Sequence, residues 1–176
     1  MIESDNNRQK TNVVNLQFKV ALADSHDIEL LVRHRLGMFN DVFPELKTQV
    51  QASEGRNRKW INEKLLDGTL VGFIAKTQEG QVAGSGCLWI REQQPRLVSS
   101  SLKTPYLMSV YTEEAFRRKG VARLVVQNAI AWAKENGYDG ISLHASETGK
   151  LLYESLCFQP TNEMRLKFEQ TNKRSC

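Results

Sequence analysis

The sequence predicts a mixed α/β domain, a mostly antiparallel sheet of about six to seven strands flanked by helices. Three observations predict it. Short apolar runs alternate with a period of two and are separated by turns rich in Gly and Pro. Two of these runs, Thr69–Thr77 and Gln81–Ile90, flank a turn containing Gly80, which is a hairpin signal. Runs with helical spacing fall between the others, as crossovers and flanking layers require.

The elements follow in order. Residues 1–12 are polar and read as a tail, so the domain is expected over 13–170, with a second tail at 171–176. Val13–Leu22 reads as a half-buried strand with Leu16, Phe18, Val20 and Leu22 on one face. Asp24 or Ser25 then caps a helix carrying Ile28, Leu31, Val32, Leu36 and Phe39. Pro44 suits either the first turn of a second helix or a break between two. That helix, with its body near Arg58–Leu66, stops at Asp67-Gly68. In the hairpin, Gly84 and Gly86 share one strand face, where something approaches the backbone closely. Arg91–Pro105 is polar, contains two prolines and is expected to be a long loop of the kind that carries function. Tyr106–Thr112 is the next strand, and Val121–Asn136 is a helix stopped by Gly137. Gly140–Ser146 reads as a strand, Glu147–Phe158 as a short helix and Glu163–Glu169 as a closing strand.

Bulk properties narrow the function. The chain has 176 residues, 40% hydrophobic and 25% charged, with a net charge of +4. Its pI is about 9.0. This mild basicity suits an anionic small ligand and falls short of the Lys/Arg loading of a dedicated nucleic-acid binder. Cys87, Cys157 and Cys176 form no C-x-x-C pair, and no His stands at ligand spacing from them, so no metal site is expected. Cys87 and Cys157 read as core residues in a reduced, cytoplasmic protein. The polar start lacks a signal peptide's apolar run, and no segment approaches membrane-spanning length.

The most informative stretch is Arg117-Arg118-Lys119-Gly120, followed by an apolar helix. Cations at a helix N-terminus oppose the macrodipole unless an anion sits among them. The first helical N–H groups lack intrahelical partners, and Gly120 has no Cβ to keep a phosphate away from them. The pattern therefore points to a phosphate or pyrophosphate ligand. G-x-x-x-x-G-K-[ST] is absent, and Gly84-Ser85-Gly86 continues as Cys87-Leu88-Trp89 inside a strand, so neither nucleotide fingerprint is present.

Arg117-x-x-Gly120-x-Ala122 resembles the [Q/R]-x-x-G-x-[G/A] pattern of the GCN5-related N-acetyltransferase superfamily. Its flanks, Leu107 to Tyr138, resemble that family's fourth strand, pyrophosphate loop and following helix. Ile141 to Phe158 resembles its next strand and helix, ending in Leu152-Tyr153-Glu154-Ser155-Leu156-Cys157-Phe158. The resemblance implies an acyl-CoA N-acyltransferase fold, with acetyl-CoA as acyl donor and an amine as acceptor. It further implies that Val110, Tyr111 and Thr112 pair with the pantetheine arm, that Arg117, Arg118, Lys119, Gly120, Val121 and Ala122 cradle the pyrophosphate, and that Ser146 and Tyr153 lie at the CoA site. The chain departs from the family pattern at Glu114, often Pro; at Ser146, commonly Asn; at Gly149, usually Ala; and at Cys157, usually Gly. A Cβ at Cys157 leaves the turn into Phe158 open.

Acyl transfer from a thioester needs a neutral amine, donors for the carbonyl oxygen and a proton for the departing thiolate. Backbone N–H groups near Val110–Thr112 are the candidate oxyanion donors, and Tyr153 is the candidate acid. Glu113 is the first candidate for the base, directly or through water, with Glu92 and His144 as alternatives. His144 reads as a mid-strand core residue; His26 and His34 read as surface or wall residues. The acceptor pocket is expected between the first two helices and the Arg91–Pro105 loop, with Arg33, His34, Arg35, Asp41 and Glu45 from one side and Arg91, Glu92, Arg96 and Lys103 from the other. This mixture of signs would suit an amine that also carries an anion, such as an amino acid or a peptide end. A non-catalytic acyl-CoA-binding sensor is the alternative. Nucleic-acid binding by Arg117, Arg118, Lys119 and Arg123 ranks below both, because interleaved aromatics are missing. A homodimer is expected only on the frequency of such assemblies.

Overall fold

The computed structural model describes residues 18–95 and 101–166. The expected tails, the first part of the first strand, Arg96, Cys176 and the end of the closing strand lie outside the described residues. The chain divides into two compact units, Met1–His144, which contains the sheet, and Ala145–Cys176.

β1 (Phe18–Leu22) leads into a 3-10 turn at Ser25–Asp27 and then α1 (Ile28–Val42). Asp24 caps this start. Its carboxylate accepts from the His26 N–H at 2.7 Å, and its own N–H donates to Asp27 at 3.1 Å, a reciprocal box. Pro44 opens a second 3-10 turn, Pro44–Leu46, ahead of α2 (Lys47–Ala52) and α3 (Glu54–Leu66). β2 (Leu70–Thr77) and β3 (Val82–Glu92) form the expected hairpin, followed by β4 (Lys103–Thr112). α4 (Val121–Glu135) crosses over to β5 (Ser142–Leu143), and α5 (Lys150–Glu154) lies in the second unit.

The sheet has five strands in the order β1-β2-β3-β4-β5. The first three pairings are antiparallel, and β5 runs parallel to β4. The fold class is the expected one, with fewer strands than expected among the described residues. Gly140–Ser146 contracts to a two-residue strand, and Glu163–Leu166 forms none. The long loop is also shorter than expected. β3 and β4 continue pairing out to Glu92↔Lys103, because a ladder needs backbone groups rather than apolar side chains.

Helices pack on both faces of the sheet. α1 and α3 bury Leu31, Val32 and Ile61 against Leu70, Ile74 and Cys87. α4 sits on the other face, over Gly84 and Gly86. A Cβ added at Gly86 would come within 2.8 Å of Val125 Cγ1, and one at Gly84 within 2.9 Å of Val121 Cγ1. What approaches these glycines closely is therefore helix α4, joined at Gly84 by the Tyr111 carbonyl of β4, 2.6 Å from such a Cβ.

Candidate active site

β4 carries the central irregularity. Ser85 pairs with Tyr111, but Cys87 pairs with Met108, so β4 holds one extra residue opposite Gly86. Ser109 takes a left-handed conformation there, φ 55°. Pairing with β5 extends only over Tyr106↔Ser142 and Leu107↔Leu143, so beyond Leu107 no described strand covers the outer edge of β4. The Glu113 N–H donates to Ala83 O on β3 at 2.9 Å. By strand alternation, the backbone groups of Thr112 face the open edge.

A 3-10 turn, Glu114–Phe116, leads from β4 to α4, with Arg118 at φ 61° and Gly120 at φ 83°. Gly120 is the N-cap and provides no side-chain cap, and the first helical bond runs from Leu124 N–H to Gly120 O at 3.0 Å. The initial N–H groups of α4, on Val121 and Ala122, thus lack helical partners. Arg118 and Lys119 are exposed, and Lys119 lies over the Phe116 ring at 5.5 Å. Arg117 turns the other way. Its Nη2 donates to Asp41 Oδ2 at 2.6 Å, and its Nε donates to Thr112 O at 3.3 Å. Arg117 therefore ties this turn to α1.

The base candidate Glu113 joins a network, buried at His34 and Ser85, that the sequence did not suggest. His34 is fully buried, which corrects its expected place at the surface or wall. Its Nδ1 lies 2.8 Å from Ser85 Oγ and its Nε2 lies 3.0 Å from Glu113 Oε1. Arg33 Nη2 donates to the same carboxylate oxygen at 2.9 Å. Burial pushes the His34 pKa down, against the pull of Glu113. Burial alone would raise the Glu113 pKa; the hydrogen bonds and charges of His34 and Arg33 outweigh it and hold the carboxyl below its usual range. Tyr111 packs beside this network, its ring 5.0 Å from that of His34. Gly37 makes room for it, since a Cβ there would lie 2.9 Å from the Tyr111 ring.

A cavity of about 570 Å³ opens between α1, α3, β3 and β4. Phe39, Trp60, Trp89 and Tyr106 supply aromatic walls, and Met108 adds an apolar patch. Arg35, Arg56, Asn57 and Ser53 supply its polar groups. Of the described residues expected in an acceptor pocket, only Arg35 lines this one. Asp41 is drawn away to Arg117 and His34 is sealed in the interior.

The alternative bases separate as well. His144 follows β5, is exposed, and its Nδ1 meets the Tyr106 hydroxyl, which corrects its expected place mid-strand in the core. Glu92 is exposed at the end of β3. Cys87 is buried, which pushes its thiol up to about 12, whereas Cys157 is exposed, not a core residue as expected.

In the second unit, Ser146 Oγ accepts from Gly149 N–H at 3.2 Å and so shapes the start of α5. Tyr153 lies on α5, its ring edge-on to Phe158 with centroids 5.7 Å apart. Cys157 adopts φ 66°, the conformation glycine would take. The Phe158 N–H donates to Tyr153 O and the Cys157 N–H to Glu154 O, both at 3.0 Å, closing the helix in a Schellman motif. The turn thus survives the replacement of glycine.

Among the described residues, no group of three or more His, Cys, Asp or Glu is placed to hold a metal. No helix there is long and apolar enough to cross a membrane.

The open edge of β4 and the uncapped start of α4 suit a long ligand with an extended amide-bearing arm and a pyrophosphate. Comparison with known proteins points the same way. The model of the acetyltransferase (GNAT) family matches residues 35–156. A GCN5-related N-acetyltransferase from Ralstonia eutropha JMP134 is 26% identical, with a TM-score of 0.80 over 86% of this chain and 98% of that one. A predicted acetyltransferase from Clostridium acetobutylicum, solved with acetyl-CoA, is 25% identical, with a TM-score of 0.75 over 90% and 99%. An aminoglycoside N-acetyltransferase in complex with CoA shares the fold at 19% identity, with a TM-score of 0.62 over 88% and 95%. No curated protein matches the sequence at a significant level.

Proposed function

The chain belongs to the acetyltransferase (GNAT) family, and from that premise we propose that it is an N-acetyltransferase, moving the acetyl group of acetyl-CoA to a primary amine of a small molecule or peptide by direct attack in a ternary complex. One observation carries this reading. The uncovered edge of β4 and the glycine-capped start of α4 follow one another in the same stretch of chain, residues 108–122.

Acetyl-CoA supplies the activated acyl group as a thioester. Val110, Tyr111 and Thr112 offer strand-like pairing to its pantetheine arm, and the open-edge N–H groups there stabilise charge on the carbonyl oxygen. Arg118, Lys119, Gly120, Val121 and Ala122 hold the pyrophosphate through charge and helix N–H groups. Arg117 holds the loop in shape through Asp41. Ser146 orders the turn ahead of α5, which carries Tyr153. As the amine nitrogen bonds to the carbonyl carbon, the carbon–sulfur bond breaks. Tyr153 gives its hydroxyl proton to the sulfur, and Glu113 receives, through water, the proton that the amine loses. A phenol of pKa ~10 and a thiol of pKa ~8.5 make the first transfer only modestly uphill. The free thiols of Cys87 and Cys157 accord with a cytoplasmic setting.

The test follows thiol release with acetyl-CoA and a panel of amines. Tyr153→Phe should lower kcat by roughly a hundredfold, the scale of general acid catalysis, while acetyl-CoA affinity stays within about twofold. Unchanged turnover would remove Tyr153 from the role of acid. Acetyl-CoA binding without turnover on any amine would leave a sensor.

A further inference from the structure

We infer that the acceptor amine also bears an anionic group, carboxylate or phosphate, on an aromatic or apolar body, and that the cavity between α1, α3 and β3–β4 holds it. The inference rests on the acetyl-transfer reading.

Two arginines that share one cavity carry it. Arg35 and Arg56 both line the cavity, and among the described residues neither meets a carboxylate. Arg35 is held only by neutral partners: its Nε donates to Asn57 Oδ1 at 2.6 Å and its Nη1 to Ser109 Oγ at 2.8 Å. Its guanidinium also lies over the Phe39 ring at 4.6 Å. These contacts fix the plane of the fork and leave its charge uncompensated, and its burial disfavours that charge. A cation withdrawn from water is costly unless an anion meets it, and a planar fork suits carboxylate or phosphate. The ligand is the missing anion.

The rest of the cavity describes the ligand's body. Trp60 and Trp89 meet edge to face, 5.2 Å between centroids, and present apolar surface. The volume of about 570 Å³ suits a small molecule. Among the described residues no lining side chain is acidic, so a polyamine would find no partner there for its additional charges. The same bias helps chemistry, because guanidinium groups near an amine favour its neutral, nucleophilic form. The location fits too. Met108 lines the cavity and Ser109 holds Arg35, and both directly precede Val110 at the open edge.

Three amines with one body test this: tyramine, tyrosine and tyramine O-phosphate, with spermidine alongside. Affinity is read by calorimetry in the presence of CoA, and kcat/KM by thiol release. At least one anionic amine should bind about tenfold more tightly than tyramine, and its identity distinguishes carboxylate from phosphate. Arg56→Ala, an exposed position on α3, should bring that preference below threefold, with Arg56→Lys retaining part of it. Tyramine or spermidine binding as well as both anionic amines, a preference unmoved by Arg56→Ala, or no binding of any amine would each overturn the inference. Anion-selective binding without acetylation would sink the transfer reading and leave the cavity assignment standing; acetylation of tyramine without anion preference would do the reverse.

Discussion

Cys157 shows what one residue carries at a turn. Its left-handed φ of 66° costs an L-residue about 1–2 kcal/mol, and the Schellman bonds at Phe158 and Cys157 hold it there. Cys157→Gly should therefore stabilise the protein by about 1 kcal/mol, the relief being partly offset by glycine's greater freedom when unfolded. Urea denaturation measures it, and an unchanged or lower midpoint would contradict this account. At this scale the sequence was legible where chemistry is local: the cations ahead of Gly120 and the capping Asp24 announce themselves. It was silent where partners are distant. Arg117 meets Asp41 across 76 residues, and nothing near either one signals the pair. His34 carries only a faint sign: it stands three residues after Leu31, on the buried stripe of α1.

Among elements, the turn into α4 makes the sharpest claim. Gly120 sits at φ 83°, where a β-branched side chain is strained and would also stand between helix N–H groups and a ligand. Gly120→Val should weaken CoA binding by roughly tenfold or more, whereas Lys119→Ala, which removes one exposed charge, should cost about threefold or less. Calorimetry with CoA decides it, with a thermal melt to verify that both variants fold; equal affinities would exclude the cradle. Strongly patterned elements such as α1, the β2–β3 hairpin and α4 were readable because their apolar spacing matches their period. The ends of β3 and β4 were not, since polar residues joined the ladder through their backbones. β5 is shorter than its alternation suggests, because alternation in Gly140–Ser146 says nothing about whether a neighbouring strand is within reach. The cavity is assembled from four elements, so its arginines and tryptophans carry no common sequence signal.

For the whole molecule, the His34–Glu113 network sets a response to acid. The unfolded histidine binds a proton near pH ~6.5, while the buried ring resists it, so the unfolded state takes up more protons as pH falls. Stability contributed by His34 is present above about pH 6.5 and is lost below it, down to the lowered folded-state pKa. Glu113 acts in the same direction at lower pH: its folded-state pKa is depressed, so its contribution is present above the unfolded value and lost as pH falls through the folded one. Tm should drop between about pH 7 and 5, with a loss approaching 1.4 kcal/mol per pH unit at most. His34→Gln should flatten that slope, and a slope as steep as the wild type's would assign acid sensitivity elsewhere.

The extra residue in β4 has a consequence for parity. Side chains along a strand alternate like odd and even numbers, and one inserted residue exchanges the two. Met108 and Tyr111 are three apart, yet their partners Cys87 and Ser85 show that both face α1. In an uninterrupted strand one of them would face α4. The cavity and the His34 network therefore share a face because the count slips by one between them. Along this strand, losing a single codon would be graver than exchanging one, for it would turn everything downstream inside out.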